Sequence, residues 1–212
     1  MNNARLDVQQ YAQQLVDSVK LLPNFEIPTE IARYATIGPV LTDAVLQAGV
    51  NYRNVVAPRI NRLIERYAEA CEDAHSFLYL LRITTSYELL AWQHYEKPRR
   101  LLHLTEWLVA QDVCNVCDLR DWLSCESRAQ TLIEIKGIGA KTIDYLKNLV
   151  GIPTVAVDRH IRKLVLSAGI PVTDYIEIRD IVGRAADLLS IRPDYLDHAI
   201  WLYASRTSNR AA

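Results

Sequence analysis

A lysine and an aspartate are the residues of this sequence best suited to chemistry. Lys141 follows the turn Gly137-Ile138-Gly139 and begins a segment with helical periodicity, and Asp158 directly precedes another such segment. Burial and a position in the first turn of a helix both lower the pKa of an amine, which favours a nucleophilic lysine. A carboxylate can stabilise positive charge on a sugar, or orient or deprotonate the attacking amine. Each residue also has an ordinary interpretation, a solvated or phosphate-paired lysine and an aspartate that caps a helix.

The Gly-Ile-Gly turn could bind the phosphates of a nucleic acid. Glycines at positions 137 and 139 permit backbone conformations and close approaches that a Cβ would block. The amides at the N-terminus of the following helix then point outward, and the helix dipole adds positive potential. Such contacts hold a nucleic-acid backbone without reading its sequence. A plain helical hairpin is the alternative, because G-x-G alone is a weak signal.

The elements that must position these residues are almost all predicted to be helices. Half of the 212 residues are hydrophobic and only seven are glycine, which indicates a globular chain. Helical periodicity covers most of it, including residues 140–150 and 159–168, and a short helix is predicted from Pro28 to Tyr34. The fold class is therefore all-α.

Charge and hydropathy limit the classes of partner. The net charge of −1 gives no global support for nucleic-acid binding, although Lys147, Arg159, Arg162 and Lys163 could form a local positive face. No apolar run approaches the length that spans a bilayer, and the N-terminus lacks the apolar centre of a secretory signal. We therefore expect a cytoplasmic protein without membrane contact.

The four cysteines raise the question of a metal site. Cys114 and Cys117 form a C-x-x-C pair with Cys125 nearby, so a metal-dependent protein built around them is one hypothesis. A closed zinc site needs four ligands, and no second pair follows. Buried core thiols are the favoured interpretation, and no metal site is predicted.

Residues 132–164 resemble the helix-hairpin-helix DNA glycosylases, of which endonuclease III is the best-known type. The family pattern L-P-G-V-G-x-K-T-A reads I-K-G-I-G-A-K-T-I from Ile135, and P-x-x-x-V-D-x-H reads P-T-V-A-V-D-R-H from Pro153. A fainter resemblance covers residues 41–63, 87–107 and 176–205.

The resemblance implies an enzyme that flips a damaged base out of the duplex and cleaves its glycosidic bond. In the bifunctional branch, the lysine at the Lys141 position attacks C1′, forms a Schiff base and nicks the strand by β-elimination, which is AP lyase activity. The aspartate at the Asp158 position assists. The residues implied to contact the DNA backbone are Gly137, Gly139, Lys136 and Thr142.

The resemblance also implies a helical two-lobe fold in a single unit over residues 1–212. The central barrel lobe would run from 36 to 150, with the hairpin at 128–150, and the second lobe would combine 1–35 with 151–212. The implied partner is double-stranded DNA with a damaged or mismatched base, bound by a monomer, nucleoid-associated if the protein is bacterial. No cofactor is expected, because no cysteine follows Cys125 to form the iron–sulfur motif of endonuclease III. A monovalent cation could bind at the hairpin.

Departures from the family pattern leave the target base open. Ala48-Gly49 stand where many members carry a glutamine or asparagine that fills the gap left by the flipped base, and Lys136 replaces a proline. Oxidised pyrimidine, oxidised guanine and mismatched uracil or thymine all remain candidates. The missing wedge residue also motivates a second hypothesis, a non-catalytic helix-hairpin-helix protein that binds DNA. Aromatic residues that could stack on a base, although such residues are more often core, are Tyr52, Trp92 and Tyr95.

Overall fold

The computed structural model describes the backbone of residues 2–208 and the side chains of residues 7–85 and 87–206. Within residues 2–208 every regular element is helical and no strand occurs, which confirms the predicted all-α class. The predicted single unit over 1–212 includes residue 1 and residues 209–212, which lie outside the described part. The described part holds twelve α-helices: α1 (Asn2–Lys20), α2 (Ile37–Leu46), α3 (Ala57–Tyr67), α4 (Ala74–Ile83), α5 (Ser86–Leu90), α6 (Glu96–Ala110), α7 (Val116–Ser124), α8 (Glu126–Thr131), α9 (Ala140–Leu149), α10 (Arg159–Ser167), α11 (Tyr175–Leu188) and α12 (Pro193–Ser208).

The chain forms two compact units. The central unit comprises residues 33–152, and the discontinuous unit comprises residues 1–32 together with 153–212. Each unit has its own cluster of buried apolar side chains, as expected of a part of a chain with its own core.

Helix α2 is the centre of the central unit. All ten of its residues are buried, and α3, α6 and α9 pack against it. Its apolar sequence explains this position, because a helix that is hydrophobic on every face must be covered by other helices. Pro39 lies in the first turn, where a missing N–H breaks no helical hydrogen bond. Asp43 is the one charged residue of this buried helix.

The discontinuous unit joins the N-terminal helix to the last three. Helix α1 packs against α11, and α12 packs against both α10 and α11. Leu15 of α1, Val165 of α10, Val182 of α11 and Leu196 of α12 are fully buried in its core.

The predicted helix from Pro28 to Tyr34 is wrong. Residues 25–34 contain no helical turn. The segment is too short to offset the cost of nucleating an isolated helix. A tertiary contact also holds its end, because the hydroxyl of Tyr34 donates a hydrogen bond to Asp43 in α2.

The prediction of buried cysteines is wrong for two of the four. Cys71 is buried, whereas Cys117 and Cys125 are exposed. Leu119, Trp122 and Leu123 supply the buried face of α7, which leaves Cys117 on its outer face. No group of three or more potential metal-ligating side chains occurs in the described part of the chain, and none of its helices is long and apolar enough to cross a membrane.

Candidate functional site

The glycine turn lies between α8 and α9 of the central unit. A single 3₁₀ turn, Leu132–Glu134, follows α8, and the amide of Ile138 then donates to the carbonyl of Ile135 at 2.9 Å. These two isoleucines are buried, whereas Lys136, Gly137 and Gly139 are exposed. The buried side chains therefore anchor the loop and leave the outer face of the turn open to solvent.

The two glycines of the turn differ in whether the fold requires them. Gly137 adopts the left-handed φ of +89°, and a Cβ there would overlap the guanidinium of Arg100, whose Nε donates to the carbonyl of Lys136 at 3.1 Å. Gly139 has an ordinary extended backbone, and a Cβ there would meet nothing within 4 Å. The fold therefore requires glycine at 137 but not at 139.

Lys141 lies in the first turn of α9, and its side chain is half-buried. Its Nζ donates to Oε1 of Gln47, the C-cap residue of α2, at 2.5 Å. The same Nζ stands 4.6 Å from the ring centroid of Tyr145, one turn further along α9, in a cation–π contact. Thr142 is half-buried, and its amide donates to the carbonyl of Gly139.

A buried carboxylate surrounded by tyrosines shares the Tyr145 side chain with Lys141. Asp43 is 1 % exposed, and its two oxygens accept from the hydroxyls of Tyr145 at 3.1 Å and Tyr34 at 2.9 Å. The hydroxyls of Tyr34 and Tyr52 are themselves 2.9 Å apart. These contacts join three separate segments of the central unit around one ionisable group.

Burial dominates the titration of this cluster. It raises the pKa of Asp43 to about 6, against the opposing effect of the tyrosine hydrogen bonds and of the positive charge of Lys141. Burial, and then the charge of Asp43, raise the pKa of Tyr34, Tyr52 and Tyr145. The three hydroxyls therefore stay protonated and can donate hydrogen bonds at neutral pH.

Asp158 caps α10 in the discontinuous unit. Its Oδ1 accepts from the amides of His160 at 2.8 Å and Ile161 at 2.9 Å, which is the usual geometry of an aspartate N-cap. The ordinary interpretation of this residue is thus realised. Lys141 belongs to the central unit, so the two residues paired in the sequence analysis lie in different units.

The expected contribution of Lys147 to a positive face is wrong. Its side chain is buried, and its Nζ forms an ion pair with Glu126 at 2.6 Å. Lys147 lies on the side of α9 that packs on α8, where an unpaired ammonium would be costly to bury.

Other cations of the central unit lie beside the end of α2. Nζ of Lys97 donates to the carbonyls of Leu46 and Ala48 at 2.7 and 2.6 Å. Lys97 and Arg59 both stand over the ring of Trp92, at 4.9 and 5.2 Å from its centroid. Arg59 also donates to the carbonyl of Ala91. Contacts thus connect these cations to the C-terminal end of α2, which also carries the partner of Lys141.

Buried donors of this region that lack hydrogen-bond partners within the described part of the chain include Nε2 of Gln47, Nε1 of Trp92 and Nε of Arg59. Buried polar groups are normally hydrogen-bonded, so these donors depart from the usual pattern. Ala91, just before Trp92, has a φ of +46°, a strained backbone for a residue with a side chain.

Sequence reasoning missed Asp43, Gln47 and Tyr145 as parts of the site. The available signal was a single aspartate within the otherwise apolar segment 37–46. Of the three candidate base-stacking residues, Tyr52 and Trp92 are half-buried against the core, and Tyr95 is exposed.

A family model described as a domain of unknown function (DUF8548) matches residues 93–205, just over half of the chain. The chain belongs to the DUF8548 family. No curated protein and no solved structure matches the chain. The DUF8548 segment contains the hairpin, Lys141, Tyr145 and Asp158, whereas Asp43 and Gln47 precede it. Most of the cluster around Lys141 thus comes from outside the segment that the family model matches.

Proposed function

We propose that this DUF8548 protein is a DNA base-excision glycosylase with associated AP lyase activity, and that Lys141 is its nucleophile. The observation that carries the proposal is the placement of the Lys141 amine. It is half-buried, held between Gln47 and Tyr145, and next to a turn whose outer face is open. A two-lobe glycosylase fold, a monomer and a location with the chromosomal DNA belong to the same proposal.

The turn would bind the backbone of double-stranded DNA. The first amides of α9 point away from the helix, and the dipole of the helix favours a phosphate there. Gly139 supports this assignment, because nothing within the protein requires a glycine at that position. A residue without a Cβ would instead let a phosphate approach the backbone closely. Lys136, Gly137 and Thr142 complete the proposed backbone contacts.

The reaction would begin with the neutral amine of Lys141. Its lone pair forms a bond to C1′ of the damaged nucleotide as the glycosidic bond breaks, and the base leaves with that bonding pair. The nitrogen gives a proton to water, the C1′–O4′ bond breaks as O4′ takes up a proton, and the nitrogen lone pair forms the C=N bond of a protonated Schiff base. Abstraction of a C2′ proton then expels the 3′ phosphate by β-elimination. The assisting role of Asp158 stays a prediction from the family resemblance, and Nε2 of Gln47 would donate a hydrogen bond to the substrate.

Borohydride trapping tests the proposal directly. Purified protein is mixed with duplexes that carry an abasic site, an oxidised pyrimidine, an oxidised guanine or mismatched uracil or thymine, and is then reduced. We expect a covalent adduct that Lys141→Gln abolishes. The matched control Lys20→Gln, which neutralises an exposed lysine at the end of α1, should retain it. Absence of an adduct on every duplex would refute the lyase assignment.

A non-catalytic DNA-binding protein is the second candidate. The N-cap geometry of Asp158 favours it, because the two hydrogen bonds to α10 account for this aspartate without any catalytic role. This candidate predicts binding to abasic-site duplexes without base release or strand cleavage on any of them. Binding weakened by Gly139→Ser but not by Lys20→Gln would assign that binding to the turn.

A further inference from the structure

Asp43 and Lys141 share one aromatic side chain. Tyr145 donates its hydroxyl to Asp43 at 3.1 Å and presents its ring to the amine of Lys141, whose nitrogen is 4.6 Å from the centroid. Tyr145 and Lys141 are one turn apart on α9, so helix geometry fixes both contacts together. The Tyr145 side chain therefore contacts the buried carboxylate through its hydroxyl and the amine through its ring.

The groups that face Asp43 come from three segments. The loop before α2 supplies Tyr34, the turn before α3 supplies Tyr52, and α9 supplies Tyr145 and Lys141. All three tyrosines are neutral at neutral pH, so Lys141 is the cation among these groups.

Three cations on the other helices that pack against α2 bind other groups. Lys97 of α6 binds the carbonyls of Leu46 and Ala48, and Arg59 of α3 binds those of Val55 and Ala91. Arg82 of α4 pairs with Glu106.

We infer that Asp43 is a positioning residue for Lys141, whose buried negative charge holds the amine over Tyr145 in its protonated form. The fraction of neutral amine at a given pH is then set by Asp43. A carboxylate favours the ammonium, and its removal or protonation favours the neutral amine. The electrostatic coupling rests on the contacts that both groups make with Tyr145 and on the effect of the Lys141 charge on Asp43, whereas its effect on strand cleavage rests on the proposed function.

The coupling must be reciprocal, because the interaction between two titrating groups belongs to the pair. Asp43→Asn should lower the pKa of Lys141, and Lys141→Met should raise the pKa of Asp43 by a similar amount. A neighbouring opposite charge shifts a pKa by about one unit or more. The burial of Asp43 favours a shift of this size, since solvent screens buried charges little.

Nuclear magnetic resonance measures both shifts without any substrate. The carboxyl carbon of Asp43 and the Cε of Lys141 are titrated from about pH 4 to pH 11 in the wild type, in Asp43→Asn and in Lys141→Met. Arg120→Gln, which neutralises an exposed cation on α7, is the matched control and should move neither pKa. Reciprocal shifts of about one unit support the inference. Two unshifted pKa values, or shifts equal to those in Arg120→Gln, overturn it.

Asp43→Asn could fail to fold, because the carboxylate is buried. The pKa of Asp43 in Lys141→Met is then the deciding measurement, since that variant keeps the tyrosine hydrogen bonds to Asp43 intact. A raised pKa of Asp43 supports the inference and an unchanged one overturns it. Tyr145→Phe separates the hydrogen bond from the charge. It should raise the pKa of Asp43, which loses a donor, while the charge that acts on Lys141 remains.

The pH profile of borohydride trapping adds a readout of reactivity. On abasic-site duplex, the midpoint of trapping should move to lower pH in Asp43→Asn by the same one unit, which is about a tenfold gain in trapping rate near pH 7. Reciprocal pKa shifts without any adduct would refute the proposed lyase but keep the coupling. An adduct whose pH profile is unchanged in Asp43→Asn would refute the role of Asp43 and keep the lyase.

Discussion

Asp43 should make the folded protein less stable as the pH rises through the weakly acidic range. Burial raises its pKa to about 6 from the usual 3.8, so the folded state binds the proton more tightly than the unfolded state does. The stability that protonated Asp43 contributes is therefore fully present below about pH 4 and is lost as the pH rises through 6. This sign is opposite to that of a salt-bridged surface carboxylate.

The size of the effect follows from the pKa difference. A shift of about 2 units corresponds to about 3 kcal/mol of unfolding free energy. This is a large share of the 5–15 kcal/mol that is typical of single domains. Asp43→Asn keeps the shape of the side chain but cannot ionise, so it lacks this pH-dependent component.

Urea denaturation at about pH 4, 5, 6 and 7 tests the reasoning. The quantity to compare is the unfolding free energy of the wild type minus that of Asp43→Asn, because ionisable groups that are not coupled to Asp43 cancel in the difference. We expect this difference to fall by about 3 kcal/mol from pH 4 to pH 7. The matched control Asp17→Asn, at an exposed position of α1, should give a much flatter curve. If the difference for Asp43→Asn changed as little with pH as that for the control, the raised pKa of Asp43 and the stability change derived from it would be refuted.

Three further predictions concern the turn, the cap and a thiol. Gly137→Ala should destabilise the protein by about 1–2 kcal/mol in chemical denaturation, because φ is +89° there, whereas Gly139→Ser should cost almost nothing. Asp158→Ala should lose about 1 kcal/mol of stability and Asp158→Ser should not, since serine also caps helices; equal losses would contradict the capping role. Cys125 should react with iodoacetamide faster than Cys117 near pH 7, because hydrogen bonds from Ser127 and from the Arg128 amide lower its pKa. Peptide mass spectrometry measures both rates, and equal alkylation would contradict the shift.

Local signals were enough to predict the class of fold. The helix predicted over residues 140–150 is α9 (Ala140–Leu149), and the one over 159–168 is α10 (Arg159–Ser167) with Asp158 as its cap. Apolar periodicity and caps act within one or two turns, so they can be read from neighbouring residues. The failure at Pro28–Tyr34 has the converse cause, because the contact of Tyr34 with Asp43 comes from another element.

The surroundings of Lys141 could not be predicted in this way. Gln47 and Lys141 are 94 residues apart in sequence, and Asp43 and Tyr145 are 102 residues apart. No periodicity or spacing indicates which residue of α2 will face which residue of α9. A close reading could have identified Asp43 as an anomaly, but not the lysine that accompanies it.

Three positions of the central unit carry residues that local stability would not favour. A leucine at position 43 would fill α2 without the cost of ionising a buried carboxylate, and a serine at position 139 would cap α9 better than glycine does. Position 91 would relax with glycine instead of an alanine at φ +46°. Sequences tend to depart from local stability rules where function requires it. Asp43 is connected to Lys141 through Tyr145, and Gly139 directly precedes the helix that carries Lys141. Ala91 directly precedes Trp92. The departures at positions 43 and 139 support the proposal of a functional site at the N-terminal end of α9.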